Sequence, residues 1–163
     1  MVIETYVQRH YLEQILEAAN QRFQDMSAGQ FELRMCDIDK AGKGKNRGLD
    51  LMVYSAVTGK VREVRTLSGG ESFMAELSLA LGMTDQIQES SAAINLDMMF
   101  IDEGFGSLDE HSRVQAVKVL QNMAEGEKLI GIISNVTELK QEIEDQLIVT
   151  KDDQGSHTRW QIS

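Results

Sequence analysis

The first part of the chain has a helical pattern of apolar positions. From Ile3 to Met26, apolar side chains recur at spacings of three and four residues, with glutamate, glutamine and arginine between them. This period predicts one amphipathic helix over residues 3–26, and Gly29 is placed to end it. The helix is long for a domain of this size. Its first two turns are therefore expected to project beyond the core.

Short alternating segments follow this helix. Phe31 to Met35 alternates apolar and polar residues with the period of two that is typical of a strand. Residues 49–57 predict a second strand, and residues 61–64 are consistent with a third. These segments predict a small antiparallel patch. A glycine-rich, basic loop at residues 39–48 separates the first two strands.

Helices and strands alternate from residue 67 onward. A Leu-Ser-Gly-Gly-Glu break precedes a helix predicted over residues 72–88. The nearly continuous apolar run at 96–101 is typical of a strand that is buried on both faces. This order indicates an α/β fold with a mainly parallel sheet and flanking helices. The remaining predicted elements are a helix at 110–124, a strand at 128–134, a helix at 136–143 and strands at 146–150 and 157–162.

Composition and charge narrow the possible functions. The 163 residues are 42% hydrophobic and 26% charged, which suits one globular domain. The net charge of −10 disfavours stand-alone binding to nucleic acid, because the chain repels the phosphate backbone. A single cysteine, Cys36, excludes an internal disulfide framework and fits a reducing cytoplasm. A membrane span is not expected, because no apolar run approaches the ~18 residues required.

Two acidic residues follow the apolar strand directly. Asp102 and Glu103 would lie at the C-terminal end of this strand, the edge where α/β sheets bind ligands. A carboxylate there can hold Mg²⁺ beside nucleotide phosphates, and its neighbour can orient or deprotonate an attacking water. Taken by itself, an Asp-Glu pair after a strand also fits the acidic start of an ordinary loop.

Two glycine-containing segments offer further candidate chemistry. Residues 67–71 place paired glycines before a helix, where backbone N–H groups can bind an anion, and Ser68 adds a hydroxyl. Residues 104–109 form a loop that allows close approach, with Ser107 or Asp109 as the cap of the next helix. Taken singly, each segment also fits a plain loop and cap.

The order of the three segments resembles that of ABC-type ATPases. Residues 67–71 look like the ABC signature, residues 98–103 resemble a Walker B strand with its catalytic glutamate, and residues 107–109 resemble the D-loop. Glu71 stands where transporters usually carry glutamine. The amino-acid sequence of residues 101–109 is similar to that of the SbcC family, and the resemblance extends over most of the chain.

The resemblance implies a role for each candidate residue. In that family, the signature of one head binds the γ-phosphate of ATP held by the other head, so ATP lies in a dimer interface. Asp102 would support Mg²⁺ and Glu103 would position the water. The residues expected to bind or contact ATP are Leu67, Ser68, Gly69, Gly70, Glu71, Ser107, Asp109 and Asn135.

The resemblance also implies domains, function and partners. Residues 1–28 would form the base of a coiled-coil arm, and residues 29–163 the C-terminal lobe of an ATPase head. ATP hydrolysis at the dimer interface would control a partner nuclease that processes DNA ends and hairpins. The expected partners are the protein's own N-terminal lobe carrying Walker A, a second head, an SbcD-like nuclease and DNA bound through the assembled complex.

Two departures from the family pattern stand out. None of the Gly-Lys pairs, at 42–43, 44–45 and 59–60, has the Ser or Thr and the earlier glycine of a Walker A loop. The chain is therefore expected to be the C-terminal lobe alone, and to be inactive in isolation. Asn135 follows Ser134 where the family usually has histidine. An amide donates a hydrogen bond but does not titrate, so either turnover tolerates it or hydrolysis is slow.

Other interpretations of the sequence stay open. A non-catalytic interaction module fits the missing Walker A and Asn135. A metal-dependent phosphohydrolase acting through Asp102 and Glu103 lacks further ligands. A lone lobe is also expected to expose an apolar sheet face and to self-associate. The basic loop would contact DNA phosphate or be merely solvated; its basic residues are Lys40, Lys43, Lys45 and Arg47.

Overall fold

Four α-helices and seven strands are the main elements of the described part of the chain. The computed structural model describes residues 3–37, 49–90, 96–125 and 128–162. The basic loop proposed as a DNA contact lies outside these residues. The elements are α1 Ile3–Met26, β1 Phe31–Met35, β2 Leu51–Ser55, β3 Lys60–Glu63, α2 Gly69–Ser90, β4 Met98–Asp102, α3 Glu110–Ala124, β5 Leu129–Ile133, α4 Leu139–Glu142, β6 Gln146–Asp152 and β7 Gly155–Gln161.

Helix α1 spans the predicted residues and is buried only in its C-terminal half. Leu16, Ala19, Phe23 and Met26 contribute its buried face. Its first turns instead carry exposed apolar side chains, as the sequence predicted. A helix stabilised mainly by packing needs a partner for such a stripe. The exposed residues are Ile3, Tyr6, Val7 and Tyr11.

The antiparallel patch predicted over residues 31–64 is confirmed as a sheet in the order β1–β2–β3. Leu33 faces Val53 across the first pair, and both side chains are buried. The sheet is tied to α1 through Asn20. The amide of this side chain donates to the carbonyl of Leu33 at 2.8 Å and accepts from its N–H at 2.7 Å. Helix α1 and the antiparallel sheet are therefore joined directly by hydrogen bonds.

Strands β4 and β5 form the parallel sheet that the βαβα order predicts. Their register pairs Phe100 with Gly131 and Asp102 with Ile133. One face, which includes the buried Ile101, packs on the helices. The prediction that β4 is buried on both faces is wrong. The described helices cover only one face, and Met98, Phe100, Leu129 and Ile133 are each more than half exposed on the other.

Helices α1 and α2 touch backbone to backbone. A Cβ added at the buried Gly82 would lie 2.6 Å from the carbonyl oxygen of Ile15 and 2.9 Å from the nitrogen of Ala19. Only a glycine fits this crossing. Helix α2, which begins within the signature segment, is thus held directly against α1.

In the last part of the chain, the strands are longer than predicted and the helix is shorter. The helix expected at 136–143 is reduced to the single turn of α4. Strands β6 and β7 form an antiparallel hairpin in which Leu147 faces Trp160. Both of these side chains are exposed. Across the residues that the structure describes, no helix is both long enough and apolar enough to cross a membrane.

Candidate functional site

The signature segment forms the first turn of α2. This helix begins at Gly69, three residues before the predicted start. Ser68 precedes it in the N-cap position. Its N–H donates to Oε2 of Glu71 at 2.7 Å, and the N–H of Glu71 donates to Oγ of Ser68 at 3.3 Å. This reciprocal capping box offsets the poor helix propensity of the two glycines.

The capped turn presents backbone donors at one end of the helix. The N–H groups of Gly69 and Gly70 belong to the first turn, where no carbonyl four residues earlier lies in the helix. Such groups, together with the helix dipole, favour an anion. Leu67 has a structural contribution as well, since it is half-buried against the core and its N–H donates to the carbonyl of Val64 at 3.0 Å.

The two acidic residues lie at the C-terminal end of the parallel sheet, as expected. Asp102 is the last residue of β4, and the N–H of Glu103 donates to the carbonyl of Ile133 at 2.9 Å. Both acidic side chains are exposed. Glu103 has a φ of 62°, a left-handed conformation that costs a non-glycine residue on the order of 1 kcal/mol. On its N-terminal side, the backbone of Glu103 is fixed by the hydrogen bond to Ile133 on β5. On its C-terminal side, it is followed by Gly104.

That glycine packs against the signature helix. Gly104 has a φ of 95°, and a Cβ added there would overlap the ring of Phe73. The Phe73 ring in turn meets the ring of Phe105 edge to face, with 5.0 Å between centroids, and Phe105 is fully buried. The aromatic pair joins α2 to the loop that follows Glu103.

A second contact joins the signature to the D-loop segment. A Cβ added at Gly70 would lie 2.7 Å from the carbonyl oxygen of Ser107, whereas one at Gly69 would lie 3.6 Å from the Ser107 Cβ. Ser107 closes its own turn by donating its hydroxyl to the carbonyl of Gly104 at 2.7 Å. The two motifs that lie far apart in sequence are therefore in contact.

Asp109 is the N-cap of α3. Its carboxylate accepts the N–H of Ser112 at 2.8 Å and the Ser112 hydroxyl at 3.3 Å. The hydrogen bond from the Ser112 backbone lowers the pKa of Asp109 below its ordinary value of 3.8. Its side chain is exposed. The capping role is enough to account for an aspartate at this position. Because the side chain is exposed, it is also accessible to another molecule.

Asn135 lies at the same sheet edge as the acidic pair. It follows β5, whose last residue, Ile133, is paired with Asp102, and its side chain is exposed. The next residue, Val136, donates its N–H to the Ser134 hydroxyl at 3.2 Å. A Cβ added at Gly106 would lie 3.6 Å from the Val136 side chain, so this loop touches the D-loop segment.

The donor set suits a nucleotide with Mg²⁺ better than a metal held by protein alone. Among the described residues, no three His, Cys, Asp or Glu side chains cluster as metal ligands. Mg²⁺ usually binds through one or two carboxylates together with substrate phosphates and waters. The single exposed carboxylate of Asp102 fits a site of this kind.

Sequence reasoning missed two residues at this site. Phe73 lies on α2 and Arg62 on β3, and neither belongs to a recognised motif. Nη2 of Arg62 lies 3.3 Å from Oε2 of Glu71. Their distances in sequence from the groups they contact, Gly104 and Glu71, leave no periodic signal, so only the folded arrangement reveals them.

Solved structures of SMC ATPase heads have the same fold. An SMC ATPase described through its ATP-driven dimerization and DNA-stimulated activation aligns with a TM-score of 0.74 at 16% identity, covering 96% of this chain and 88% of that one. The Smc head domain of Pyrococcus furiosus bound to the C-terminal domain of ScpA aligns with a TM-score of 0.66 at 18% identity, covering 91% of this chain and 35% of that one. The fold is therefore that of SMC-type ATPase heads.

Sequence similarity identifies the family within that class. The family described as SbcC/RAD50-like, Walker B motif matches residues 49–122. The SbcC subunit of the SbcCD nuclease from Treponema pallidum is 49% identical over 147 residues, covering 90% of this chain and 14% of its own length. The chain belongs to the SbcC family, as the sequence of its motifs predicted. It spans about one seventh of the length of that relative.

The Asp109 cap predicts a pH-dependent stability. Because the pKa of Asp109 is lowered on folding, its contribution to stability is present above the unfolded pKa and is lost as the pH falls through the folded pKa. Asp109→Asn retains a capping side chain but cannot ionise. We expect the wild type to have the higher urea midpoint at neutral pH, and the two midpoints to converge below about pH 4. Glu110→Gln, which leaves the cap in place, is the control. A difference independent of pH would contradict the assignment.

Proposed function

We propose that this chain is the C-terminal lobe of an SbcC-like ATPase head. Residues 29–163 would form the lobe, and residues 1–28 the base of a coiled-coil arm. The observation that carries the proposal is the contact between Gly70 and Ser107, which assembles the signature and the D-loop beside the strand that ends in Asp102. Two segments that resemble motifs of one ATPase class are thus in contact. The segment that resembles the third motif, residues 98–103, directly precedes the loop at residues 104–109.

In this proposal the chain's residues act on ATP in two ways. The first turn of α2, with Ser68, Gly69 and Gly70, would bind the γ-phosphate of ATP held by a second head. Glu103 would orient the attacking water and accept its proton. Mg²⁺ bound beside Asp102 would neutralise phosphate charge. Exposed Asn135 would donate a hydrogen bond to phosphate in place of histidine.

The exposed apolar face of the parallel sheet is an argument that another lobe packs against this chain. Met98, Phe100, Leu129 and Ile133 form an apolar surface on two parallel strands, which in other proteins are covered on both faces. We propose that the lobe carrying Walker A covers it. The relatives are several times longer than this chain, so they contain enough sequence for that lobe and for a coiled coil.

The remaining assignments rest on the family. The curated relatives from Treponema pallidum and Vibrio cholerae are named as the SbcC component of the nuclease SbcCD. By this relationship we propose that the head pairs with a second head and with an SbcD-like nuclease, that it acts on DNA ends and hairpins in repair and recombination, and that it works in the cytoplasm. The acidic charge of the chain fits DNA contact through the assembled complex.

Calorimetry with Mg²⁺-ATP tests the proposal. We expect no binding to this chain alone and clear binding when it is mixed with the separately expressed lobe that carries Walker A. Glu103→Gln in the mixture should retain ATP binding and lower turnover by at least about a hundredfold, the usual contribution of a general base. Glu125→Gln, an exposed residue beyond α3, is the control and should leave turnover unchanged. Tight binding by this chain alone would overturn the assignment as a lobe.

A non-catalytic interaction module is the second candidate. The exposed Asn135 favours it, because an amide cannot carry the charge or accept the proton that a histidine can at this position. This candidate predicts that the two lobes associate but that the mixture neither binds nor hydrolyses ATP. The same calorimetric experiment, with lobe association measured by light scattering, distinguishes the two.

A further inference from the structure

A negative charge lies inside the proposed phosphate site. Oε2 of Glu71 accepts the Ser68 N–H at 2.7 Å, so the carboxylate is held against the first turn of α2. A carboxylate at this position stabilises the helix, because it faces the positive end of the dipole. It also repels any phosphate that approaches the same end. The capping box and the proposed ligand therefore compete electrostatically.

Arg62 supplies the opposite charge from another element. This residue lies on β3, outside the helix, and its Nη2 lies 3.3 Å from Oε2 of Glu71. Its Nη1 donates to the carbonyl of Thr66 at 2.8 Å, in the turn that leads to the signature. The guanidinium also lies 5.7 Å from the centroid of the Phe31 ring on β1. The group is thus oriented from three sides.

The neighbouring charges do not duplicate this pairing. Arg65, the next basic residue along the chain, forms an ion pair with Glu63. Arg34 pairs with Glu32 on β1. In the described residues that surround the signature turn, Arg62 is the basic side chain paired with Glu71. Its replacement would leave the carboxylate facing an incoming phosphate without compensation.

We infer that Arg62 is a positioning residue of the signature, which neutralises Glu71 so that the capped turn can accept a phosphate. The inference rests on the proposed function. With Glu71 held in this way, its N–H donates to Oγ of Ser68 at 3.3 Å. The Ser68 hydroxyl then acts as acceptor within the helix, and its own proton is available to a phosphate oxygen.

Charge-compensating variants of the complete head test this role. The probe is the non-hydrolysable analogue AMP-PNP with Mg²⁺, and the readout is the dissociation constant of the head dimer. Arg62→Gln should weaken dimerisation about fivefold or more, because a symmetric dimer contains the contact twice and each charge near a helix terminus contributes modestly. Arg62→Gln/Glu71→Gln should dimerise more tightly than Arg62→Gln alone, since the pair is again neutral.

A lysine variant separates charge from tethering. Arg62→Lys keeps the charge but loses the fork that reaches both Thr66 and Glu71. Neutralisation predicts dimerisation close to that of the wild type. A purely structural tether predicts a defect as large as that of Arg62→Gln and no rescue by Glu71→Gln. Thermal melts of all variants confirm that the heads remain folded.

Each outcome decides a different question. If the wild-type head dimerises with AMP-PNP and Arg62→Gln dimerises equally well, the inference is wrong and the proposed function stands. Failure of Glu71→Gln to rescue Arg62→Gln also overturns the inference. If the wild-type head does not dimerise with nucleotide, the proposed function fails, and Arg62 then has no phosphate site to balance.

Discussion

Alanine at position 104 is expected to lower the free energy of unfolding of this chain by about 2–5 kcal/mol, the sum of left-handed strain and overpacking. Gly104 has a φ of 95°, which an alanine adopts only with strain, and the new Cβ would overlap the Phe73 ring. Phe73 cannot withdraw freely, because it packs on the buried Phe105. Urea unfolding followed by circular dichroism measures the effect.

Gly59 provides a matched control for this substitution. It also has a positive φ, of 65°, but no atom lies within 4 Å of the position its Cβ would take. Gly59→Ala should therefore cost only the strain, about 1–2 kcal/mol. Gly104→Ala should cost less in a Phe73→Ala background than in the wild type, since the smaller side chain makes room. Equal effects at positions 104 and 59 would show that the ring contact does not constrain the loop.

The paired glycines of the signature are expected to respond differently from each other. Gly70→Ala should destabilise the chain by about 1–3 kcal/mol, because a Cβ 2.7 Å from the Ser107 carbonyl forces α2 away from the D-loop turn. Gly69→Ala brings its Cβ only to 3.6 Å from the Ser107 Cβ, an ordinary contact. It should be neutral, or stabilising by up to about 1 kcal/mol through helix propensity.

The same pair reports on function when the complete head is used. Gly70→Ala should abolish nucleotide-dependent dimerisation, because it displaces both the signature turn and the D-loop that would meet the second head. Gly69→Ala isolates the effect of a methyl group at the proposed phosphate site without that displacement. Chemical denaturation of the lobe and light scattering of the head give the two measurements. If both alanines destabilise the lobe equally, the close contact between Gly70 and Ser107 does not exist.

Several features of the fold were predictable because their signals are local. The α1 helix over residues 3–26 and the strand Phe31–Met35 follow from side-chain periods that decide which face can be buried. The apolar run that ends before Asp102 likewise located this residue at the end of a strand. Asp109 was one of two expected caps, and it is the residue that caps α3.

The errors come from contacts that local patterns do not encode. The helix α2 starts at Gly69 because the side chains of Ser68 and Glu71 cap it reciprocally, which outweighs the cost of two glycines. The apolar run of β4 indicates a strand buried on both faces, yet Phe100 is 62% exposed. In the proposed function, the lobe that carries Walker A would cover this apolar face.

The amino-acid sequence by itself determined the order of the elements, the three motifs and the family, because these depend on residue identity and on spacing along the chain. Only the tertiary structure decided which residues support the motifs. Phe73 and Arg62 contact groups that lie on other elements, namely Gly104 in a loop and Glu71 on α2. Such contacts depend on how helices and strands pack. Packing is a property of the whole core, so no local segment of the sequence reveals it.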